Sequence, residues 1–180
     1  MYYYQREKHK VFFSFYHKDD QRYKDYVDNY FSNDIIKKSV KDGEYNTEIS
    51  DEYVKKLIRE DKISDSSVIV VLVGSNTRKR KHVDWEIYAG LRESVNGSAG
   101  LIGVLLPSFP LSPGNKYRYD DLPARLADNV KSGYSDIYTW DVFKKNHLSL
   151  INKAFENRIL RKEKRDNTRL QMKRNLGENE

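Results

Sequence analysis

Apolar residues recur along this chain with two different periods, and the two kinds of segment alternate. Val68–Val73 is an unbroken run of aliphatic residues, closed by Gly74. It is too short to span a membrane and rich in valine. That composition predicts a strand buried on both faces, as in a parallel sheet. After a Gly-Ser break and a basic turn, Val83, Ile87, Leu91 and Val95 fall near helical spacing. One acid, Glu86, lies in the first turn or so of that helix, about 60° round from Val83. A carboxylate just beyond the carboxyl end of a central strand occupies the place where an open α/β sheet keeps its ligands.

The other segments repeat the alternation. Lys10–Tyr16 (KVFFSFY) reads as a strand, followed by a helix capped by Asp19 and Asp20 with Tyr23, Tyr26, Val27, Tyr30 and Phe31 inward. Asp34–Val40 is a short strand carrying Ile35, Ile36 and Val40, and Lys41–Thr47 a polar loop. Ser50 caps a second helix, with Tyr53, Val54, Leu57 and Ile58 on its buried face. Gly100–Leu106 is a fourth strand, stopped by Pro107. Pro107–Asp121 holds three of the four prolines and forms the longest loop, the edge of a cleft. Leu122–Val130 is a short helix and Ser135–Trp140 a fifth strand. Asp141 caps a last helix with Phe143, His147, Leu150, Ile151, Ala154 and Phe155 inward. Five alternations predict parallel strands with helices on both faces, most simply a flavodoxin-like three-layer sandwich around a five-stranded sheet.

Composition changes this picture little. One domain accounts for 180 residues, and 14 tyrosines supplement a hydrophobic content of only 38%. Cysteine is absent, which removes disulfides, thiolate nucleophiles and Cys-ligated zinc. The opening MYYYQREKHK has no apolar stretch of the kind a signal peptide needs, so the cytoplasm is the expected compartment. The net charge of +6 is concentrated in residues 158–174, where eight Lys/Arg face two acids and the rest of the chain balances. A division follows: residues 1–157 as the folded domain, and 158–180 as a basic helix end and tail. Such a tail can contact phosphates, but its plainer reading is a solvated helix end fraying into a disordered terminus. No zinc-finger, RNP or recognition-helix pattern supports nucleic acid as a partner.

The usual occupants of this fold lack their residues. A receiver domain needs an Asp ending the third strand and a Lys after the fifth; here stand Val73-Gly74-Ser75 and Trp140-Asp141. A flavin-binding flavodoxin needs a Ser/Thr/Gly-rich loop after the first strand, and Tyr16-His17-Lys18-Asp19 has no glycine. GxGxxG, GxxxxGK[ST] and GxSxG are all missing.

KVFFSFYHKDD, a valine-rich strand ending VGSNT, and WEI after a basic turn together resemble the TIR-like proteins (the B components) of the Thoeris anti-phage system. The resemblance spans roughly residues 8–140 and rests on the FSF tripeptide at 13–15 and the Gly74-Ser75 to Glu86 spacing. It implies cleavage of NAD at the nicotinamide–ribose bond, with Glu86 as the catalytic residue. It also implies a cyclic ADP-ribose-type product that reaches a separate NAD-depleting effector by diffusion. NAD would be substrate, with no further cofactor and no metal, and self-assembly could accompany activity; no membrane contact is implied. TIR enzymes commonly carry Trp four residues before this glutamate; here that residue is His82, and Trp85 directly precedes Glu86.

The residues suit that chemistry. Expelling neutral nicotinamide leaves an oxocarbenium-like ribose that a single carboxylate can stabilise. Phe15, Tyr16 and Trp85 are candidates to stack on nicotinamide or adenine. Ser14, Ser75 and Asn76 end two strands where they could bind ribose or pyrophosphate, with Arg78, Lys79, Arg80 and Lys81 nearby as cations. Each has a plainer alternative: Glu86 as an acid favoured by the helix dipole, Trp85 and Phe15 as packing residues, residues 78–81 as a solvated turn. The four histidines show no metal spacing. A non-catalytic TIR-like interaction module is the competing reading of the whole.

Overall fold

A computed structural model describes residues 8–38, 50–58, 63–94 and 96–177. The expected polar loop at 41–47, and Val40 and Val95, lie outside these. Five strands, β1 (Lys10–Ser14), β2 (Ile36–Lys38), β3 (Val68–Val73), β4 (Gly100–Leu105) and β5 (Asp136–Thr139), form one sheet in the order β2-β1-β3-β4-β5. All four pairings are parallel. Helices α1 (His17–Tyr30), α2 (Asp51–Leu57), α3 (Lys81–Leu91) and α4 (Ala124–Lys131) lie in the four crossovers, and α5 (Trp140–Leu160) follows the last strand. This is the flavodoxin-like order expected from the alternation.

Strand β3 sits at the centre because all its side chains can be buried: each of Val68–Val73 is fully inaccessible. Each such burial contributes about 1.5–3 kcal/mol relative to exposure. Alternate residues then divide the core in two. Val68, Val70 and Leu72 face α1 and α5, with Val11, Phe13, Val27, Phe143 and Ile151. Ile69, Val71 and Val73 face α2, α3 and α4, with Phe12, Val54, Val83, Ile87 and Leu126. Gly100 lets α5 lie directly on β4: a Cβ there would fall 2.2 Å from the Ala154 carbonyl oxygen.

Several expectations are corrected in detail. On α1, Tyr23, Val27 and Phe31 are buried, but Tyr30 is 66% exposed; the helix buries a narrower stripe than its tyrosines suggested. On α2, Ser50 caps as expected, accepting from the Tyr53 N–H at 3.4 Å, yet Tyr53 itself is 51% exposed. Helix α5 begins at Trp140, with Thr139 rather than Asp141 at its N-cap, and is kinked at Asn146. His147 stacks on Phe31 at 3.8 Å and meets Asp34 at 2.8 Å.

The largest correction concerns the basic terminus. Residues 165–177 do not fray into solvent but run back over α3 and α4, fixed by named hydrogen bonds. Asn129 pairs with the backbone of Asp166 through both its amide atoms, at 2.7 and 3.0 Å. Arg169 forks onto Asp128 at 2.6 and 2.9 Å. Arg161 and Arg165 pair with Asp136 and Glu93. Much of the charge that made the tail look like a phosphate-binding segment is thus neutralised within the fold.

Candidate functional site

The sheet order changes direction between β1 and β3, and the carboxyl ends of these two strands open the crevice that such sheets use for ligands. In β1 the alternation puts Phe13 on the α1/α5 side and Phe12 on the other, so Ser14 points with Phe12 toward α3. There its hydroxyl donates to Glu86 Oε2 at 2.5 Å, and both side chains are buried, Glu86 to 2% exposure. Val83 and Ile87 hold the adjoining stripe of α3 against the sheet, which turns Glu86 onto the end of β1. A carboxyl group this deep costs free energy unless it is hydrogen-bonded, and Ser14 answers that need.

A second acid lies nearby in the fold. Asp20, in the first turn of α1, is 1% exposed; Thr77 Oγ1 donates to it at 3.4 Å and itself accepts the Gly74 N–H at 2.8 Å. A Cβ on Gly74 would lie 2.6 Å from the Asp20 carboxylate, so glycine is needed for the end of β3 to come this close. Burial, reinforced by the neighbouring Asp19, pushes the Asp20 carboxyl up to about 6. Asp19 and Asp20 read in the sequence as helix-dipole acids, and no local pattern marks the approach of Gly74 and Thr77 that gives Asp20 its buried place.

Of the other sequence candidates, the structure brings some together and separates others. The Phe15 side chain is buried in the α1/α5 core and meets the His17 ring at 4.1 Å, while its carbonyl oxygen lies 3.3 Å from His82 Nε2. Burial pushes His82 down to about 4, so the ring is neutral near pH 7. Tyr16 carries the Arg80 guanidinium over its ring at 4.0 Å. Asn76 donates to Asp19 at 2.9 Å, and Ser75 is exposed on the turn between β3 and α3. The basic cluster divides: Arg80 faces Tyr16, whereas Lys81 reaches Asp51 at 2.8 Å and lies 5.1 Å from the Trp85 ring.

Trp85 does not join Glu86. Its indole N–H donates to the Met172 carbonyl at 2.8 Å, Lys55 lies over its ring at 4.9 Å, and it lines a cavity of about 300 Å³ with Tyr88 and Gln171. Adjacent helical residues point 100° apart, so the two share no face. The sequence also gave Glu86 as the acid of the first turn; that acid is Asp84. Asp84 is buried against Arg125, which is itself inaccessible, at 2.9 Å. Removing either partner of such a buried pair leaves an uncompensated charge in the interior, so the two residues must be kept together.

A five-stranded parallel sheet in the order β2-β1-β3-β4-β5, with helices on both faces, defines a doubly wound, flavodoxin-like α/β protein. The family described as Thoeris protein ThsB, TIR-like domain, matches residues 12–109, more than half of the chain and the stretch that contains both Ser14 and Glu86. The chain belongs to that anti-phage defence family. Among solved structures, the TIR domains of the activated Roq1 resistosome recognising the pathogen effector XopQ align with 16% identity and a TM-score of 0.41, over 84% of this chain and 80% of theirs. No curated protein matches the sequence. Among the described residues, no helix is long and apolar enough to cross a membrane, and no cluster of side chains is arranged to hold a metal.

Proposed function

We propose that this protein cleaves NAD at the nicotinamide–ribose bond, with Glu86 as the group that stabilises the ribose as the bond breaks. The observation that carries this reading is the Ser14–Glu86 hydrogen bond at the switch point of the sheet. The bonding pair of the C–N bond leaves with the ring nitrogen, so nicotinamide departs neutral and the ribose becomes oxocarbenium-like. A carboxylate beside C1′ lowers the energy of that cation, and a serine hydroxyl holds the carboxylate in register. Water as acceptor gives ADP-ribose and a proton. A nucleophile of the adenosine half gives a cyclic isomer, the form suited to a diffusible signal for an NAD-depleting effector in the cytoplasm.

Ser75 and Asn76, on the turn at the mouth of β3, are the residues we assign to the ribose or pyrophosphate, with Tyr16 and Arg80 flanking. Since Glu86 is 2% exposed, substrate reaches it only after the groups covering it move aside. Activity that depends on assembly or on a cellular trigger accords with that closure. The same closure favours a second reading, in which Ser14 and Glu86 are a structural pair in a non-catalytic TIR-like interaction module. Nicotinamide release from NAD, compared between the native protein and Glu86→Gln, separates the two.

A further inference from the structure

Helix α3 starts without a cap of its own. Arg80 occupies the N-cap, and a guanidinium has no oxygen to accept the first free N–H groups. The acceptor comes from the far end of the chain: the Lys81 N–H donates to Asn175 Oδ1 at 2.9 Å, across 94 residues of sequence. The next residue, Leu176, donates its N–H to the carbonyl of Lys79, just ahead of the helix, at 2.8 Å. Met172 is held from both sides, its N–H donating to Asp84 Oδ2 at 2.8 Å and its carbonyl accepting the Trp85 indole N–H at 2.8 Å. All four bonds land on Lys79–Trp85, the stretch that leads into Glu86 and contains His82. Further back, Asn167 donates to the Tyr88 carbonyl at 3.1 Å, and Arg125 ties Asn167 and Asp84 together.

We propose that residues 171–177 are a positioning strap for the site: they cap α3 from outside and set the height and phase of its first two turns, and so the place of Glu86 against Ser14. The contacts have the specificity this requires, since both the side chain of Asn175 and the backbone of Met172 meet defined atoms of the helix. A helix end without a cap frays, and displacement of a reacting group by about 1 Å costs on the order of a hundredfold in rate. Asn175, Met172 and Asp84 are therefore positioning residues that act through α3. The claim about rate rests on the proposed NAD cleavage; the claim about α3 does not.

The test compares the native chain with two variants, one ending at Leu170 and the other Asn175→Ala. Two properties are read: hydrogen exchange of the Lys81–Trp85 amides, with β3 and β4 amides as the control for folding, and the rate of nicotinamide release from NAD. The strap account expects the α3 amides to lose protection by about tenfold or more in both variants while β3 and β4 keep theirs. It expects kcat to fall about tenfold with KM nearly unchanged, and a synthetic peptide of residues 168–180 to restore both properties to the truncated chain. Unchanged protection of the α3 amides overturns the proposal, and so does loosened α3 with full kcat. If the truncated chain loses β3 and β4 protection, Asn175→Ala decides by the same criteria. If the native protein releases no nicotinamide, the proposed activity fails, and exchange alone decides whether the strap positions α3.

Discussion

The hydroxyl of Ser14, the last residue of β1, donates to the carboxyl group of Glu86 at 2.5 Å, joining residues 72 apart in sequence at the point where the sheet order reverses. Removing that donor in Ser14→Ala leaves Glu86 with one fewer partner in a buried place. The expected costs are about 1–3 kcal/mol in urea unfolding and a loss of roughly tenfold or more in nicotinamide release. Loss of stability with full turnover would show the hydrogen bond to be structural only.

Asp20 opposes folding at neutral pH. Its carboxyl titrates near 6 in the folded protein against 3.8 in the reference state, because burial and Asp19 disfavour the charge. The folded state therefore binds a proton between these values that the unfolded chain has lost, and stability falls as pH rises through 3.8 to 6. Asp20→Asn removes the charge and keeps an oxygen for Thr77. The variant should be more stable at pH 8 by roughly 1–2 kcal/mol and no different near pH 3.5. Urea unfolding across that range checks both.

His82 acts in the other direction. Burial lowers it to about 4 from 6.5, so between those values the unfolded chain takes up a proton that the folded protein refuses. Stability from this residue is complete above pH 6.5 and is lost as pH falls toward 4. Its slope opposes that of Asp20 over most of the same window. His82→Gln should flatten the loss of stability between pH 6.5 and 4, and Asp20→Asn should steepen it. A His82→Gln profile parallel to the native one would contradict the assignment.

The sheet and the first half of the site were legible in the sequence because each rests on a local pattern. The valine-rich composition of Val68–Val73 favoured a strand buried on both faces, and the spacing from Gly74 to Glu86 carried the acid into α3. Three features were not legible, each for a physical reason. Trp85 is next to Glu86 in sequence and 100° away on the helix, so adjacency suggested a shared site that helical phase forbids. Asp20 has the composition and place of a helix-dipole acid, and only the approach of Gly74 and Thr77 across the sheet buries it. The C-terminal strap is polar, basic and aperiodic, the composition of a fraying end. Its order comes from hydrogen bonds to residues 87 to 97 positions earlier, such as Met172 with Trp85 and Leu176 with Lys79, and no local pattern encodes them.

The central claim is that Glu86 takes part in breaking the nicotinamide–ribose bond. The most direct measurement incubates the native protein and Glu86→Gln with NAD, each alone and with lysate of phage-infected cells, and quantifies nicotinamide together with ADP-ribose and its cyclic isomers. The account predicts nicotinamide and an ADP-ribose product from the native protein, at the latest in the presence of lysate, and a loss on the order of a hundredfold or more with Glu86→Gln. No nicotinamide above the lysate background under either condition, or equal release by the variant, would contradict it and leave the Ser14–Glu86 pair as part of an interaction module.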